Sequence, residues 1–137
     1  MAVDLKWLVG EKLEKSEKKD YTWHFVFSGG GSIATESPWR LITNDRIKVT
    51  SEDHDQLFGL KEPVDATALA LAATAGKKVL AYRVTEQSSD LIVTLEDSVR
   101  IEFLNLSGGY ESWRTWHPSG EVICLGGGKL VIFNKEK

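Results

Sequence analysis

Apolar and polar residues alternate with a period of two along most of the chain, a pattern that predicts β-strands. In the clearest case Tyr21, Trp23, Phe25 and Phe27 share one face of a strand and would present their aromatic rings to a core. The same alternation predicts a second extended segment from Ile33 and further strands at residues 39–42, 47–49, 79–84, 91–95, 99–104, 110–116, 121–125 and 130–133. The chain is therefore predicted to be mainly β.

One segment breaks this pattern and predicts a short helix. Asp65 stands as an N-cap before residues 66–75, which are rich in alanine, and Gly76 follows where such a helix would end. The glycine triplets at 29–31 and 126–128 lack the lysine-serine or lysine-threonine ending of a phosphate loop, so both are predicted to be turns. Residues 130–133 are apolar on both faces, which predicts a central strand.

These elements predict a single domain over residues 1–137, because a chain of 137 residues has the length of one domain. The predicted fold class is mainly β, between all-β and α+β. About nine to ten short antiparallel strands would form a twisted sheet, a sandwich or a partly open barrel, with one short helix near 65–76.

A weak internal similarity adds a second prediction about the fold. Residues 10–13 resemble residues 76–79, and residues 20–25 resemble residues 90–95 in pattern. Half-repeats at 10–50 and 76–116, related by a two-fold duplication, would explain both matches. The alternative is that any two alternating strands beside turns resemble one another.

Charge is distributed unevenly along the chain. The sequence holds 20 acidic and 17 basic residues, a net charge of −3, which gives no general attraction to nucleic acid or to an anionic membrane. Residues 51–65 hold five acids and one base, so this stretch carries −4 and the rest of the chain sums to +1. The acidic stretch is therefore predicted to meet a basic protein partner.

The same sequence bears on the cellular compartment. No run of apolar residues is long enough for a membrane span, and no apolar segment follows a basic start as in a secretory signal. The single cysteine, Cys124, has no partner for an internal disulfide, which favours the reducing cytoplasm. Its apolar neighbours predict a buried thiol rather than a nucleophile.

Residue types suited to catalysis or metal binding are sparse. The three histidines share no ligand spacing with the cysteine, and residues 53–55 lack the length and glycine of a calcium loop, so no metal and no cofactor are expected. The chain is predicted not to be an enzyme. One alternative remains open, in which Glu36, Glu102 and Glu111 converge from adjacent strands as acid and base, with His24 in a pocket.

Aromatic residues near the C-terminus indicate a surface. In a regular strand Trp113 and Trp116 point to opposite faces, so one of them should reach the outside unless the sheet is covered on both faces or a bulge intervenes. Exposed Trp, Tyr and Arg are typical anchors of protein interfaces. The predicted partner-binding residues are Glu52, Asp53, Asp55, Tyr110, Glu111, Trp113 and Trp116.

The run Tyr110-Glu111-Ser112-Trp113, followed by Gly120 and by residues 126–130, resembles the C-terminal pattern of an uncharacterised family of small bacterial β-rich proteins. Together with Gly10 and Trp39 the resemblance extends over most of the chain. It implies a β-rich fold and supplies no catalytic residues. In size, acidity and lack of catalytic motifs the chain is also similar in type to bacterial immunity proteins, which neutralise a cognate toxin, often a nuclease with a basic active site.

Three hypotheses of function follow. The first is a non-enzymatic cytoplasmic protein-binding module, in its most specific form an immunity-type inhibitor whose acidic segment 51–65 meets a basic toxin domain. The second is a small-ligand-binding β-barrel or an enzyme with a pocket that uses His24 and glutamates. The third is a structural homo-oligomer, for example a homodimer that buries the surface aromatic residues between identical subunits.

Overall fold

Alternating apolar side chains place one face of most strands in a core between two antiparallel sheets. The structure is a computed structural model and describes residues 3–134, which contain eleven strands and one α-helix. The two sheets have separate strand orders and meet through the isolated antiparallel bridge between Lys12 and Lys78. The fold is therefore mainly β and sandwich-like, as the sequence predicts.

Most elements follow one another along the chain with short connections, and the longest connection in the described residues is the one between Thr50 and Ala66. In chain order they are β1 (Leu13–Lys19), β2 (Thr22–Phe27), β3 (Ser32–Thr35), β4 (Trp39–Thr43), β5 (Arg46–Thr50), α1 (Ala66–Thr74), β6 (Val79–Val84), β7 (Leu91–Leu95), β8 (Val99–Phe103), β9 (Trp113–His117), β10 (Gly120–Cys124) and β11 (Leu130–Asn134). The six-stranded sheet has the order β1-β2-β3-β9-β10-β11, and the five-stranded sheet has the order β5-β4-β8-β7-β6.

Each sheet combines a three-strand meander from one half of the chain with a hairpin from the other half. Strands β1–β3 form a meander that is extended by the hairpin β9–β10 and then by β11, while β6–β8 form a meander that is extended by β4–β5. The register shifts at equivalent places, between Leu13 and Lys15 and between Val79 and Ala81. Two copies of one five-strand unit would give this arrangement, although the bounds 10–50 and 76–116 remain a prediction from the sequence.

Aromatic side chains fill the core where β2 faces the other sheet. Phe25 contacts Trp39 and Phe103 edge to face, each with ring centroids 5.1 Å apart, and Trp23 contacts Trp39 in the same way at 5.3 Å. Each such pair adds about 1 kcal/mol to the stabilisation that comes from burying the rings. The inward positions of β2 are therefore Trp23, Phe25 and Phe27, and His24 lies on the opposite side of the strand.

The predicted helix is present as α1. The Asp65 side chain accepts a hydrogen bond from Ala68 N at 3.1 Å and caps the helix, and Gly76 follows the last turn with φ of +72°. A hydrogen bond from the Thr67 hydroxyl, together with that from Ala68 N, lowers the pKa of Asp65. The helix buries its small residues Ala66, Ala70 and Thr74, so its backbone lies close to the sheet.

Both glycine triplets form tight hairpin turns. Phe27 N donates to Gly31 O at 2.9 Å in the first turn, and Leu125 N donates to Lys129 O at 2.8 Å in the second. The middle residue of each turn has a φ of +82°, which glycine adopts without steric cost. Each turn connects two strands, and neither precedes a helix.

The sequence prediction is wrong at β11 and at Tyr21. Strand β11 lies at an edge of the six-stranded sheet rather than in its centre. Its inward residues Leu130 and Ile132 pack against the core, whereas Phe133 is exposed on the outer surface. The apolar residues on the outer face of the strand are therefore not covered by another element. Tyr21 lies in the turn before β2 and is 81% exposed, because the strand alternation begins only at Thr22.

Candidate functional site

The acidic loop, residues 51–65, connects β5 to α1 and is held at both ends by hydrogen bonds. Thr50 and Asp53 form a capping box, in which the Asp53 carboxylate accepts from Thr50 N at 2.9 Å. His54 Nδ1 accepts from Ala66 N at 3.0 Å, and its ring contacts Trp23 edge to face at 5.1 Å. The start of the loop is therefore fixed to the core and to the beginning of the helix.

The middle of the acidic loop is closed by backbone hydrogen bonds. Asp55 N donates to Val64 O and Val64 N donates to Gln56 O, both at 2.8 Å. These two hydrogen bonds close the base of an exposed loop, residues 56–63, which we call the projection. Within the projection Leu60 N donates to Leu57 O at 2.7 Å and forms a turn. The projection is ordered by its own backbone before any partner binds.

Three large apolar side chains lie at the end of this projection. Leu57, Phe58 and Leu60, which we call the apolar tip, are each more than half exposed. Phe58 also has a φ of +47°, a left-handed conformation that costs a non-glycine residue about 1–2 kcal/mol. An exposed aromatic residue in a strained turn contributes little to folding, which makes the tip a candidate contact surface.

The residues of the apolar tip stand out in the sequence, but their exposure does not, and they were not among the predicted contacts. The run Leu57-Phe58-Gly59-Leu60 is the only group of large apolar residues between Val49 and Val64. The predicted contacts in this loop were its acids, of which Glu52 and Asp55 are exposed. Asp53 is partly buried and caps the turn at residues 51–53, so its carboxylate already has a structural role.

A groove of about 590 Å³ lies beside β3, between residues 36–38 and the loop 106–112. Its floor includes Ala34 and Thr35, and Leu106 and Tyr110 stand exposed at its wall. A second depression of about 380 Å³ begins at the same residues 36–38 and reaches Tyr21 and Glu52. The two depressions adjoin, and together they connect the predicted residues Tyr110 and Glu111 with the start of the acidic loop.

The two tryptophans of β9 separate as the alternation predicts. Trp113 is wholly buried and its Nε1–H donates to Ser89 O at 2.8 Å, so it belongs to the core and is not available to a partner. Trp116 is 40% exposed on the outer face, opposite Ser32 and Glu121 on the neighbouring strands. The strand begins at Trp113 rather than at Tyr110, which lies in the preceding loop.

The three glutamates considered as an acid–base set do not converge. Glu36 and Glu111 line the groove, whereas Glu102 lies on β8 in the other sheet, bound by Arg40 and by Arg100 at 2.8 Å. Burial by itself raises the pKa of Glu102, but the hydrogen bonds from both arginines outweigh it and lower that pKa overall. His24 is not part of the groove lining. Glu102 is thus a structural ion-pair residue.

Replacing Glu102 by glutamine is expected to lower the free energy of unfolding by about 2 kcal/mol at pH 7, because two charge-assisted hydrogen bonds are lost. The lowered pKa of the folded state means that this contribution is complete above pH about 4.5 and disappears as the pH falls further. Urea unfolding at several pH values would measure it. The exposed Glu14→Gln is the control, and an equal loss at pH 3 and pH 7 would contradict the ion-pair explanation.

Cys124 is buried between the sheets, and burial raises the pKa of its thiol. Within residues 3–134 no group of three or more histidine, cysteine, aspartate or glutamate side chains is placed to hold a metal ion. In the same part of the chain no helix has the length and apolarity that crossing a membrane requires. The candidate contact surfaces are the acidic loop with its apolar tip, the groove, and the exposed ring of Trp116 on the outer face.

Comparison of the chain with known protein families, with curated proteins and with solved structures gives no match. The function is therefore inferred from the geometry and chemistry of the acidic loop and the groove.

Proposed function

We propose that this protein is a non-enzymatic binding module that recognises a basic protein partner through the acidic loop and its apolar tip. The observation that carries the proposal is the exposure of Leu57, Phe58 and Leu60 together at the end of a loop with a hydrogen-bonded base. Interfaces commonly combine such an apolar centre with a polar rim. The rim here is acidic, since the loop carries −4.

The two components of the loop would serve different steps of binding. Burying one Leu or Phe side chain contributes about 1.5–3 kcal/mol, so the apolar tip would supply most of the affinity. The carboxylates, which remain at the hydrated edge, would steer a basic partner and raise the association rate. Because the loop is already hydrogen-bonded at its base, little conformational entropy is lost on binding.

The most specific form of the proposal is an immunity-type inhibitor in the cytoplasm. The phosphate-binding surface of a nuclease is basic, and an acidic loop with an apolar end could cover it and exclude the substrate. The free thiol of Cys124 fits a reducing compartment. This form predicts a partner whose own expression stops cell growth and whose toxicity the present chain relieves.

A display library of protein fragments from the same genome tests the proposal, with the purified chain as bait. The tip variant Leu57→Ser, Phe58→Ser, Leu60→Ser should lose at least 100-fold in affinity for the enriched fragments, which should be basic. The control Ile47→Ser, Leu80→Ser changes two exposed residues elsewhere and should bind like wild type. Absence of enriched fragments, or equal binding by the tip variant, would overturn the proposal.

Removing charge from the acidic loop should slow association rather than speed dissociation. Asp55→Asn with Glu62→Lys makes the loop less negative, and asparagine tolerates the φ of +67° at position 55. At low salt the association rate constant should fall about tenfold, and the difference should disappear near 1 M salt. Stopped-flow mixing with the tightest enriched fragment measures both.

The matched control for this experiment is Asp97→Asn with Glu86→Lys. It makes the same charge change at exposed positions outside the acidic loop, and Asp97 also has a positive φ of +61°. If the control slowed association as much as the loop variant, net charge rather than the acidic loop would be responsible for steering.

A further inference from the structure

The two adjoining depressions share residues 36–38 in their linings, and we call the pair the joined groove. On one side the groove extends past Leu106 and Tyr110, and on the other it extends past Tyr21 toward Glu52. A ligand that occupies both depressions must be elongated and must pass over residues 36–38.

The apolar walls of the joined groove are unusually exposed. Tyr110 is 82% exposed, Tyr21 is 81% exposed and Leu106 is 68% exposed. The Ser107 hydroxyl accepts hydrogen bonds from Gly109 N at 3.0 Å and Tyr110 N at 2.8 Å, and Gly127 N donates to Ser107 O at 2.9 Å. The loop that presents Tyr110 is therefore fixed in place before a ligand binds, which reduces the entropy lost on binding.

The charges along the joined groove are not balanced. Its lining holds three carboxylates, Glu36, Glu52 and Glu111, and two cations, Arg114 and Lys18. Arg114 pairs with Glu111 at 3.5 Å, whereas Lys18 Nζ lies 5.0 Å from the centre of the Trp23 ring and keeps its charge there. Within the described part of the chain, Glu36 and Glu52 make no ion pair, and the only hydrogen bond of the Glu36 side chain is the one that it accepts from Thr22 Oγ1 at 3.4 Å. The lining therefore carries a net charge of −1, and Glu36 is the carboxylate that belongs to both parts.

We propose that the joined groove binds an extended basic segment of the partner, with an arginine or lysine at Glu36 and apolar side chains against Tyr110 and Leu106. The exposed tyrosine rings suit this ligand, since their faces attract guanidinium and ammonium groups as well as apolar side chains. The inference rests on the proposed function, because it assigns a second contact region to the same basic partner. It adds a specificity-determining residue, Glu36, outside the acidic loop.

A phage library of random 12-residue peptides, selected on the immobilised chain, tests this inference directly. Enriched peptides should contain arginine or lysine beside leucine or an aromatic residue. Their affinity, measured by fluorescence anisotropy, should fall at least tenfold for Glu36→Gln and for Tyr110→Ala. Glu14→Gln, which removes an exposed carboxylate on β1, is the matched control and should bind like wild type.

The tip variant separates this inference from the proposed function. Peptides held by the groove should bind the tip variant as tightly as wild type, and NMR amide shifts should move at Ala34, Thr35 and Ser107. Peptides that lose affinity for the tip variant but not for Glu36→Gln would overturn the groove assignment and leave the acidic loop as the binding surface. A selection that yields no basic peptides would overturn the groove assignment as well.

Discussion

Phe58→Asn is expected to make the protein more stable and its partner binding weaker. Phe58 has a φ of +47° and is 66% exposed, so its ring adds little to folding while its backbone is strained. Asparagine adopts this conformation more readily, which should raise the free energy of unfolding by about 1 kcal/mol. Loss of the ring from an interface centre should cost about 2 kcal/mol, or about 30-fold in affinity.

Urea unfolding and titration with the tightest enriched fragment measure the two effects. Leu57→Asn is the control, because Leu57 is exposed at the same tip but has no positive φ. That variant should bind more weakly without any gain in stability. Unchanged binding by Phe58→Asn would show that the apolar tip is not a contact surface, and a loss of stability would show that the ring packs against the fold.

Features set by neighbouring residues were predictable from the sequence. Strands β6 and β7 have the predicted bounds, because period-two alternation is a local signal bounded by turn residues. The cap at Asp65 and the helix after it were also predictable, since the Asx cap, the alanine-rich run and Gly76 lie within a few residues of one another. The burial of Trp113 and the exposure of Trp116 follow from the same alternation.

Features set by long-range pairing were not predictable in this way. The hairpin β4–β5 joins β8, and β9 joins β3, so each sheet contains strands from both halves of the chain. Local alternation does not encode these partners. The edge position of β11 was missed for the same reason, since an apolar strand has the same pattern whether or not a neighbour covers it.

The candidate site shows both kinds of limit. The acidity of residues 51–65 is visible in the composition, but the exposure of Leu57 and Phe58 is not, because a short apolar run is equally typical of a buried segment. The joined groove could not be predicted from the sequence either. It exists because the pairing of β3 with β9 brings the loop with Tyr110 beside Glu36, which is distant in the sequence.

Replacing Trp113 by alanine is expected to lower the free energy of unfolding by about 4 kcal/mol. The indole is fully buried between the sheets, so alanine leaves a cavity, and Ser89 O loses the hydrogen bond from Nε1. Total stabilities of small domains are about 5–15 kcal/mol, so the urea midpoint should shift by a large fraction of its value. Trp116→Ala, on the outer face, should cost about 1 kcal/mol or less and serves as the control.

A comparison of Trp113→Phe with Trp39→Phe isolates the hydrogen bond from the packing. The two tryptophans begin β9 and β4, both are fully buried, and phenylalanine removes the same volume at either place. The Nε1–H of Trp113 donates to Ser89 O, whereas that of Trp39 has no hydrogen-bond partner within residues 3–134. Trp113→Phe should therefore cost about 1–2 kcal/mol more than Trp39→Phe. Equal losses would mean that the bond to Ser89 adds nothing and that packing alone determines the stability at both positions.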